Sequence, residues 1–457
     1  MANEEQAWSA ARLIPTSGIS GAEEQERRGT SALLAVMASV KEFGRALTSP
    51  LGAPAGNLET FIEVPFVLGE RKLFPDGLLR VKRGSKTWTA LVEVKTGTNL
   101  LATEQLENYL DIAREHGFDA LITISNEIPS SVGLHPTTVD RRKLKKVALI
   151  HWSWSEILTQ AVMQKEFRGV ADPDQAWILG ELIRYLEHPR SGALSFEDMG
   201  ANWVPVREAV TAGTLRQSDK GAAEVAARFD ALIRFACLRL GRQLGTEVTP
   251  VLTRQEVSDP AGRTAALVAT LVSDGSMRAS IRIPNAVGPL QIEANLRSNK
   301  ITCHFDLDAP SEGKPTTRVN WALRQLKDAP DSVRIEAFAA RAREGTAELL
   351  RDVRDTPAKL VGDAAKEIKY FRIAHTHPLG AKRAAGRGSF IDSMLDAVDV
   401  SYADIGQRLK SWTATPPRLR AAEEVDVDTS VPTALVSNAL SSQDGDTAEP
   451  AHESVTP

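Results

Sequence analysis

The chain has 457 residues, 42% apolar and 25% charged, with a formal net charge of −4; at roughly 100–200 residues per domain, that length allows two or three domains and a sizeable core. No run of about 18 apolar residues occurs, and the start Met1-Ala2-Asn3-Glu4-Glu5 is acidic rather than basic-then-apolar, which argues against a membrane span or signal peptide and for a cytoplasmic protein. The only cysteines, Cys237 and Cys303, are too few and too isolated for a disulfide framework or a zinc site, as suits a reducing compartment.

After an N-terminal extension (1–19), Ser20-Gly21-Ala22-Glu23 reads as a capping box, and Leu33, Met37, Val40, Phe43 and Leu47 recur with helical period. Glu26 precedes Leu33, Val40 and Leu47 in steps of seven, which predicts that it faces inward with them. Glu23 and Glu24 compete for that role, and all three acids also suit a helix N-terminus electrostatically. A strand over Leu58–Leu68 leads to Phe74-Pro75-Asp76-Gly77 and a strand Leu78–Lys82. A turn at Arg83-Gly84-Ser85-Lys86 follows, then a strand that begins at Thr87 and contains Ala90-Leu91-Val92-Glu93-Val94-Lys95. Strand side chains alternate, so Glu93 and Lys95 share a face, with Leu91, Val92 and Val94 as surrounding packing. Burying both charges is costly unless they pair or hold an ion. The hairpin returns Glu93 towards Asp76, so two carboxylates and an ammonium are expected at one point.

Thr96-Gly97-Thr98-Asn99 then opens a helix over Leu100–His116, where Gln105 and Tyr109 share a face at i, i+4. An apolar strand Ala120–Ser125, a loop Pro129–Thr138, a strand Lys146–Trp152 and a helix running to Phe167 complete an alternating α/β pattern with a mixed sheet. The cluster Arg141, Arg142, Lys143, Lys145 and Lys146 suits phosphate contact and equally suits a solvated loop.

Residues 169–245 read as a helical connector, with helices at Ala176–Glu187 and Gly221–Leu244. In 246–339 the period changes to two. Arg278, Ser280 and Arg282, then Gln291, Glu293, Asn295 and Arg297, then Thr302, His304 and Asp306 alternate with apolar residues, which predicts an antiparallel meander with one wet face, joined at Asp274-Gly275 and Ser298-Asn299. A helix Thr316–Lys327 and a strand Val333–Phe338 are expected to cover its other face, making an α+β domain. Residues 340–420 read as mainly helical around a basic loop Gly380–Gly388, with His375-x-His377 in a loop rather than at a metal. The stretch 421–457 holds eight acids and neither Lys nor Arg, so the rest of the chain carries +4; its composition reads as a disordered acidic tail. No phosphate-cradling P-loop and no G-x-S-x-G elbow is present.

Pro75-Asp76, the hairpin and Glu93-x-Lys95 together resemble the PD-(D/E)XK phosphodiesterase superfamily, the restriction-endonuclease-like nucleases. Gln105-Leu106-Glu107-Asn108-Tyr109 resembles the Gln-x-x-x-Tyr motif of its lambda-exonuclease and RecB-type members, and Glu26-Arg27 resembles the first-helix glutamate of its Holliday-junction resolvases. The resemblance implies a restriction-endonuclease-like mixed central sheet flanked by helices over 20–168. It implies Mg²⁺, with Mn²⁺ able to substitute, held by Asp76, Glu93 and the Val94 carbonyl. Such an ion supplies Lewis acidity and a more acidic water. Lys95 would orient the attacking water, Glu26 would stand near the metal as a further catalytic carboxylate, and Gln105 and Tyr109 would contact the substrate backbone and steady the site. Nucleic acid, DNA rather than RNA, would be the partner, with Arg141 and Lys145 as phosphate contacts.

Three readings follow from the sequence: a Mg²⁺-dependent nuclease in repair, recombination or defence; a nucleic-acid-binding module on the same fold without turnover; and a regulatory or stress-related interaction protein working through its second domain.

Overall fold

The computed structural model describes residues 13–14, 21–131, 133–362 and 366–414. Ser20 and the tail 421–457 lie outside them, as does nearly all of the extension 1–19.

The first sheet grows from a two-residue turn. Gly84, at φ 58°, takes the first central position, which requires a left-handed residue, and closes Arg83 onto Lys86. From that turn β4 (Gly77–Arg83) and β5 (Lys86–Val94) run antiparallel, and β1 (Asn57–Ile62) pairs antiparallel to the outside of β4. On the other side β6 (Ala120–Ser125) and β7 (Ala148–Ser153) continue in parallel, giving a mixed sheet of order β1-β4-β5-β6-β7. The expected strand Leu58–Leu68 is two strands. Glu63 turns left-handed at φ 49° and Pro65 cannot donate to a ladder, so β2 (Phe66–Leu68) leaves the sheet and forms a separate ribbon with β3 (Arg71–Leu73).

Helices α1 (Ala22–Ser39) and α2 (Lys41–Thr48) lie on one face, α3 (Thr103–Glu115) on the other, and α4 (Trp154–Val162) and α5 (Pro173–Leu186) return to the first. The apolar stripe is buried as its period predicts, although the helix breaks at Val40, whose extended backbone ends α1. The N-cap of α1 is Gly21, without a side-chain cap. Alternation along β5 sends Ala90, Val92 and Val94 to the α1 face and Leu91 to the α3 face, so Leu91 shares its side with Glu93. Each such fully buried aliphatic contributes about 1.5–3 kcal/mol. Gly77 has a packing reason: a Cβ there would stand 2.5 Å from Leu34 Cδ1, so any larger residue would push the buried Leu34 side chain aside where α1 meets β4.

Beyond α5 the chain forms α6 (Trp203–Ala212), α7 (Lys220–Leu244), α8 (Pro260–Ser273), α9 (Pro315–Gln325) and α10 (Phe390–Ser401) around a second, wholly antiparallel sheet. Its order is β13-β12-β14-β11-β10-β9-β8, from Thr346–Leu349, Arg334–Ala339, Ile368–Pro378, Lys300–Asp308, Leu290–Asn295, Ser276–Arg282 and Thr249–Pro250 respectively. The meander β9-β10-β11 is present with its expected alternation: Met277, Ile281, Ile301 and Phe305 are buried, while Arg278, Arg282 and Asp306 are exposed.

Three expectations are corrected here. Asp274-Gly275 ends α8 and leads into β9, whereas β9 and β10 are joined through 283–289. The strand near Val333–Phe338 joins the sheet instead of covering it. Residues 340–420 are not mainly helical, because β14 pairs with both β11 and β12 and carries His375 and His377 on a strand.

The described residues up to Trp412 form one compact unit. Arg234 of α7 ties its two halves together, donating to Glu156 Oε1 at 2.7 Å and to the carbonyls of Pro129 and Ser131. Among the described residues no helix is long and apolar enough to cross a membrane.

Candidate active site

Strand register brings the acidic residues together. Gly77 pairs with Val92, so Asp76, one step before β4, stands opposite Glu93. The Asp76 carboxylate accepts the Val94 N–H at 2.7 Å. In a strand the N–H and C=O of one residue project to the same side, so the Val94 carbonyl also faces the edge where Asp76 sits. Lys95 Nζ donates to Glu93 Oε1 at 2.7 Å and lies 3.5 Å from Glu26 Oε2. Glu93 is 1% exposed, and the Glu26 and Lys95 side chains are 15% and 17% exposed. Asp76, Glu93 and Lys95 therefore converge, as the hairpin predicts, and Glu26, expected from its spacing only to face inward, joins them.

Three carboxylates against one ammonium leave excess negative charge in a poorly hydrated place. Burial, reinforced by Asp76, pushes the Glu93 carboxyl up to about 8. Burial also raises Asp76, against the opposing pull of the Val94 N–H and of Lys95. For Lys95, burial acts downward, but Glu93, Glu26 and Asp76 outweigh it and hold the ammonium above its ordinary value. Glu93 Oε2 is buried and receives no N–H or hydroxyl donor among the described residues; the Glu93 side chain meets that of Asp76, and two acids can hydrogen-bond only by sharing a proton.

Gln105 and Tyr109 adjoin this cluster. Tyr109 is buried, its hydroxyl donates to the Phe74 carbonyl at 3.2 Å, and it accepts from Gln105 Nε2 at 3.3 Å. Burial and nearby Glu93 push the phenol up to about 12, so it stays protonated and keeps donating. Tyr109 thus clamps the Phe74-Pro75-Asp76 loop and has no free hydroxyl for a substrate backbone; Gln105 is half-buried, with its amide nitrogen engaged by Tyr109.

Arg141 and Lys145 are not brought to the site. They lie on a short 3₁₀ turn just before β7, tied to the outer side of α3 by Lys143–Asp111 at 2.5 Å and by Asp140 N–H to Glu107 at 2.9 Å. Ala148 opens β7 beside Ala120 and Ala90, whereas Glu93 and Lys95 stand at the far, C-terminal end of the parallel strands.

Several supporting residues escaped the sequence reading. Asn99 donates to Glu26 Oε1 at 2.7 Å, and the Thr96 N–H reaches the same oxygen at 3.4 Å, so the loop after Lys95 orients Glu26. Trp154 Nε1 donates to the Lys95 carbonyl at 3.0 Å. Asn126 bridges the Gly97 and Gly192 carbonyls at 2.9 and 2.7 Å. Beside Glu93, register places Thr123 and then His151 in one row. Thr123 Oγ1 bonds His151 Nδ1 at 2.9 Å and His135 Nε2 at 2.8 Å, and burial lowers both imidazoles, His151 to about 4. These residues are single side chains far apart in sequence; the stretch Thr96-Gly97-Thr98-Asn99 was read only as the lead into a helix.

Among the described residues no group of three or more His, Cys, Asp or Glu side chains is set to hold a metal ion. No family model, no curated protein and no solved structure matches the chain.

Proposed function

We propose that this chain is a metal-dependent phosphodiester hydrolase acting on DNA, built on a restriction-endonuclease-like mixed sheet. The observation that carries the reading is the meeting of Asp76, Glu93 and Lys95 at the end of β5, with Asp76 fixed by the Val94 N–H and the buried Glu93 carboxyl set against that of Asp76.

That donor set fits Mg²⁺, which needs only one or two protein carboxylates and takes its remaining oxygens from water and substrate phosphate. Asp76, Glu93 and the Val94 carbonyl would hold it, and the excess carboxylate charge would be offset. When bound, the ion supplies Lewis acidity and charge neutralisation at the phosphate. The chain's own groups do the rest. Lys95, held by Glu93 and Glu26, presents an ammonium that orients the attacking water and offsets charge developing on the phosphoryl oxygens. Glu26 sets the position of Lys95, Tyr109 fixes the Asp76 loop, and Gln105, whose amide Nε2 donates to Tyr109, steadies that clamp.

The test is cleavage of linear and circular, single- and double-stranded DNA, with matched RNA, in Mg²⁺, Mn²⁺ or EDTA. Metal-dependent DNA cleavage by the wild type that is lost in Asp76→Ala and in Glu93→Ala is the expected result; wild-type rates in Asp76→Ala would overturn the site.

A further inference from the structure

Building on the hydrolase reading, we infer that Phe74 is a base-stacking residue and that the substrate this site takes is an unpaired DNA strand.

Phe74 directly precedes Pro75-Asp76 and is 49% exposed. Burying such a ring is worth about 1.5–3 kcal/mol, so its exposure beside the reactive carboxylates needs a cause. The ring is not merely loose. Its own carbonyl is held by Tyr109 Oη at 3.2 Å and the next residue has the fixed φ of proline, so the backbone presents the side chain outward. Lys72 Nζ stands over the ring, 5.3 Å from its centroid, so a stacking base would take the opposite face or displace the ammonium, which could then turn to its phosphate.

The surroundings continue the theme. Ile62 and Leu100 are 53% and 69% exposed, one just before Glu63 and the other just after Asn99. A groove of about 470 Å³ opens beside Asp76, lined also by Glu24, Arg27, Arg28, Thr30, Ser31, Ile62 and Glu63, with Arg27 paired to Glu23 and Glu63 and Arg28 to Glu24. Its wall is built at some expense: Glu63 holds a left-handed φ of 49° while its N–H donates to the Asp76 carbonyl at 3.2 Å. Open apolar surface thus gathers on the segments flanking the reactive groups.

Stacking favours an unpaired strand over a duplex. A paired base is already stacked on both faces, and freeing one for Phe74 would cost a few kcal/mol of unstacking. An unpaired base offers its face without that cost.

The experiment uses the full chain, with Phe74→Ala, Phe74→Leu and Phe74→Trp, on a labelled single-stranded oligonucleotide and on its duplex. Anisotropy in EDTA gives Kd, and cleavage in Mg²⁺ gives kcat and KM. Base–aromatic stacking of about 1–3 kcal/mol predicts that Phe74→Ala and Phe74→Leu raise single-strand Kd and KM about tenfold, leave kcat and the duplex constants near wild type, and that Phe74→Trp restores binding. Unchanged single-strand Kd, or equal losses on single strand and duplex, would overturn the inference. Failure of the two claims is separable: cleavage with binding indifferent to Phe74 removes this inference alone, and Phe74-dependent binding without any cleavage removes the hydrolase reading alone.

Discussion

The carboxylate of Asp76 accepts the backbone N–H of Val94 at 2.7 Å, so the strand that carries Glu93 and Lys95 also fixes the loop that carries Asp76. The relative placement of the two acids is therefore a property of the β4–β5 hairpin, set by main-chain register rather than by flexible side-chain contacts.

The elevated Glu93 carboxyl gives a pH signature. Between its ordinary value of 4.5 and about 8, the fold retains a proton that the unfolded chain has lost, so stability of the metal-free protein falls as pH rises through that window. Glu93→Gln, neutral throughout, should flatten the fall. Thermal melts at about pH 5.5 and about pH 8.5 read this directly, and Mg²⁺ should raise Tm more at the higher value, where Glu93 needs no deprotonation to take the ion.

Tyr109→Phe keeps the packing of the ring and removes its donation to Phe74 and its acceptance from Gln105. Expected costs are about 1–2 kcal/mol of stability and a loosened Asp76 loop. Cleavage measured against Mg²⁺ concentration should show a raised metal requirement, with activity partly recovered at high Mg²⁺. An unaltered metal dependence would confine Tyr109 to packing.

Gly192 sits at φ 78°, and a Cβ there would stand 2.8 Å from both Thr96 Cβ and Gln25 Oε1. Its carbonyl also receives Gly97 N–H and Asn126 Nδ2. Gly192→Ala should destabilise the protein by about 1–3 kcal/mol and displace the loop that follows Lys95. A fall in kcat at temperatures well below the shifted Tm would register that displacement.

Arg234 is 9% exposed and ties α7 to Glu156, which also accepts the Ser153 N–H that begins α4. Arg234→Ala should cost about 3 kcal/mol, the lower end for a broken buried pair, because the Glu156 side chain remains 24% exposed. Denaturant unfolding with an unchanged midpoint would contradict it.

Much of the site was legible in the sequence because local rules set it. The turn at Gly84-Ser85 fixes the register that carries Glu93 to Asp76, and heptad spacing places Glu26 on the buried stripe. What was not legible depends on long-range partners. Thr96, Asn99, Asn126 and Trp154 act through hydrogen bonds to residues distant in sequence, which leave no periodic trace. The charge of Arg141 and Lys145 said nothing about which end of the sheet they occupy. β14 was hidden by Lys369, Arg372 and Thr376, which interrupt Phe371, Ile373 and His375: a strand in a half-wet sheet can carry that much charge, and so can a helix. The break after Ile62 depends on Glu63 adopting a conformation rare for its type, which composition does not signal.

The most direct test of the central claim is Lys95→Ala measured for both metal binding and cleavage, with Mg²⁺ titrated by calorimetry and DNA cleavage followed under the same conditions. The account predicts that the variant folds, still binds Mg²⁺ through Asp76 and Glu93, and cleaves no DNA, while the wild type does both. Cleavage by Lys95→Ala at the wild-type rate, or a wild type that neither binds Mg²⁺ nor cleaves any strand, would contradict it.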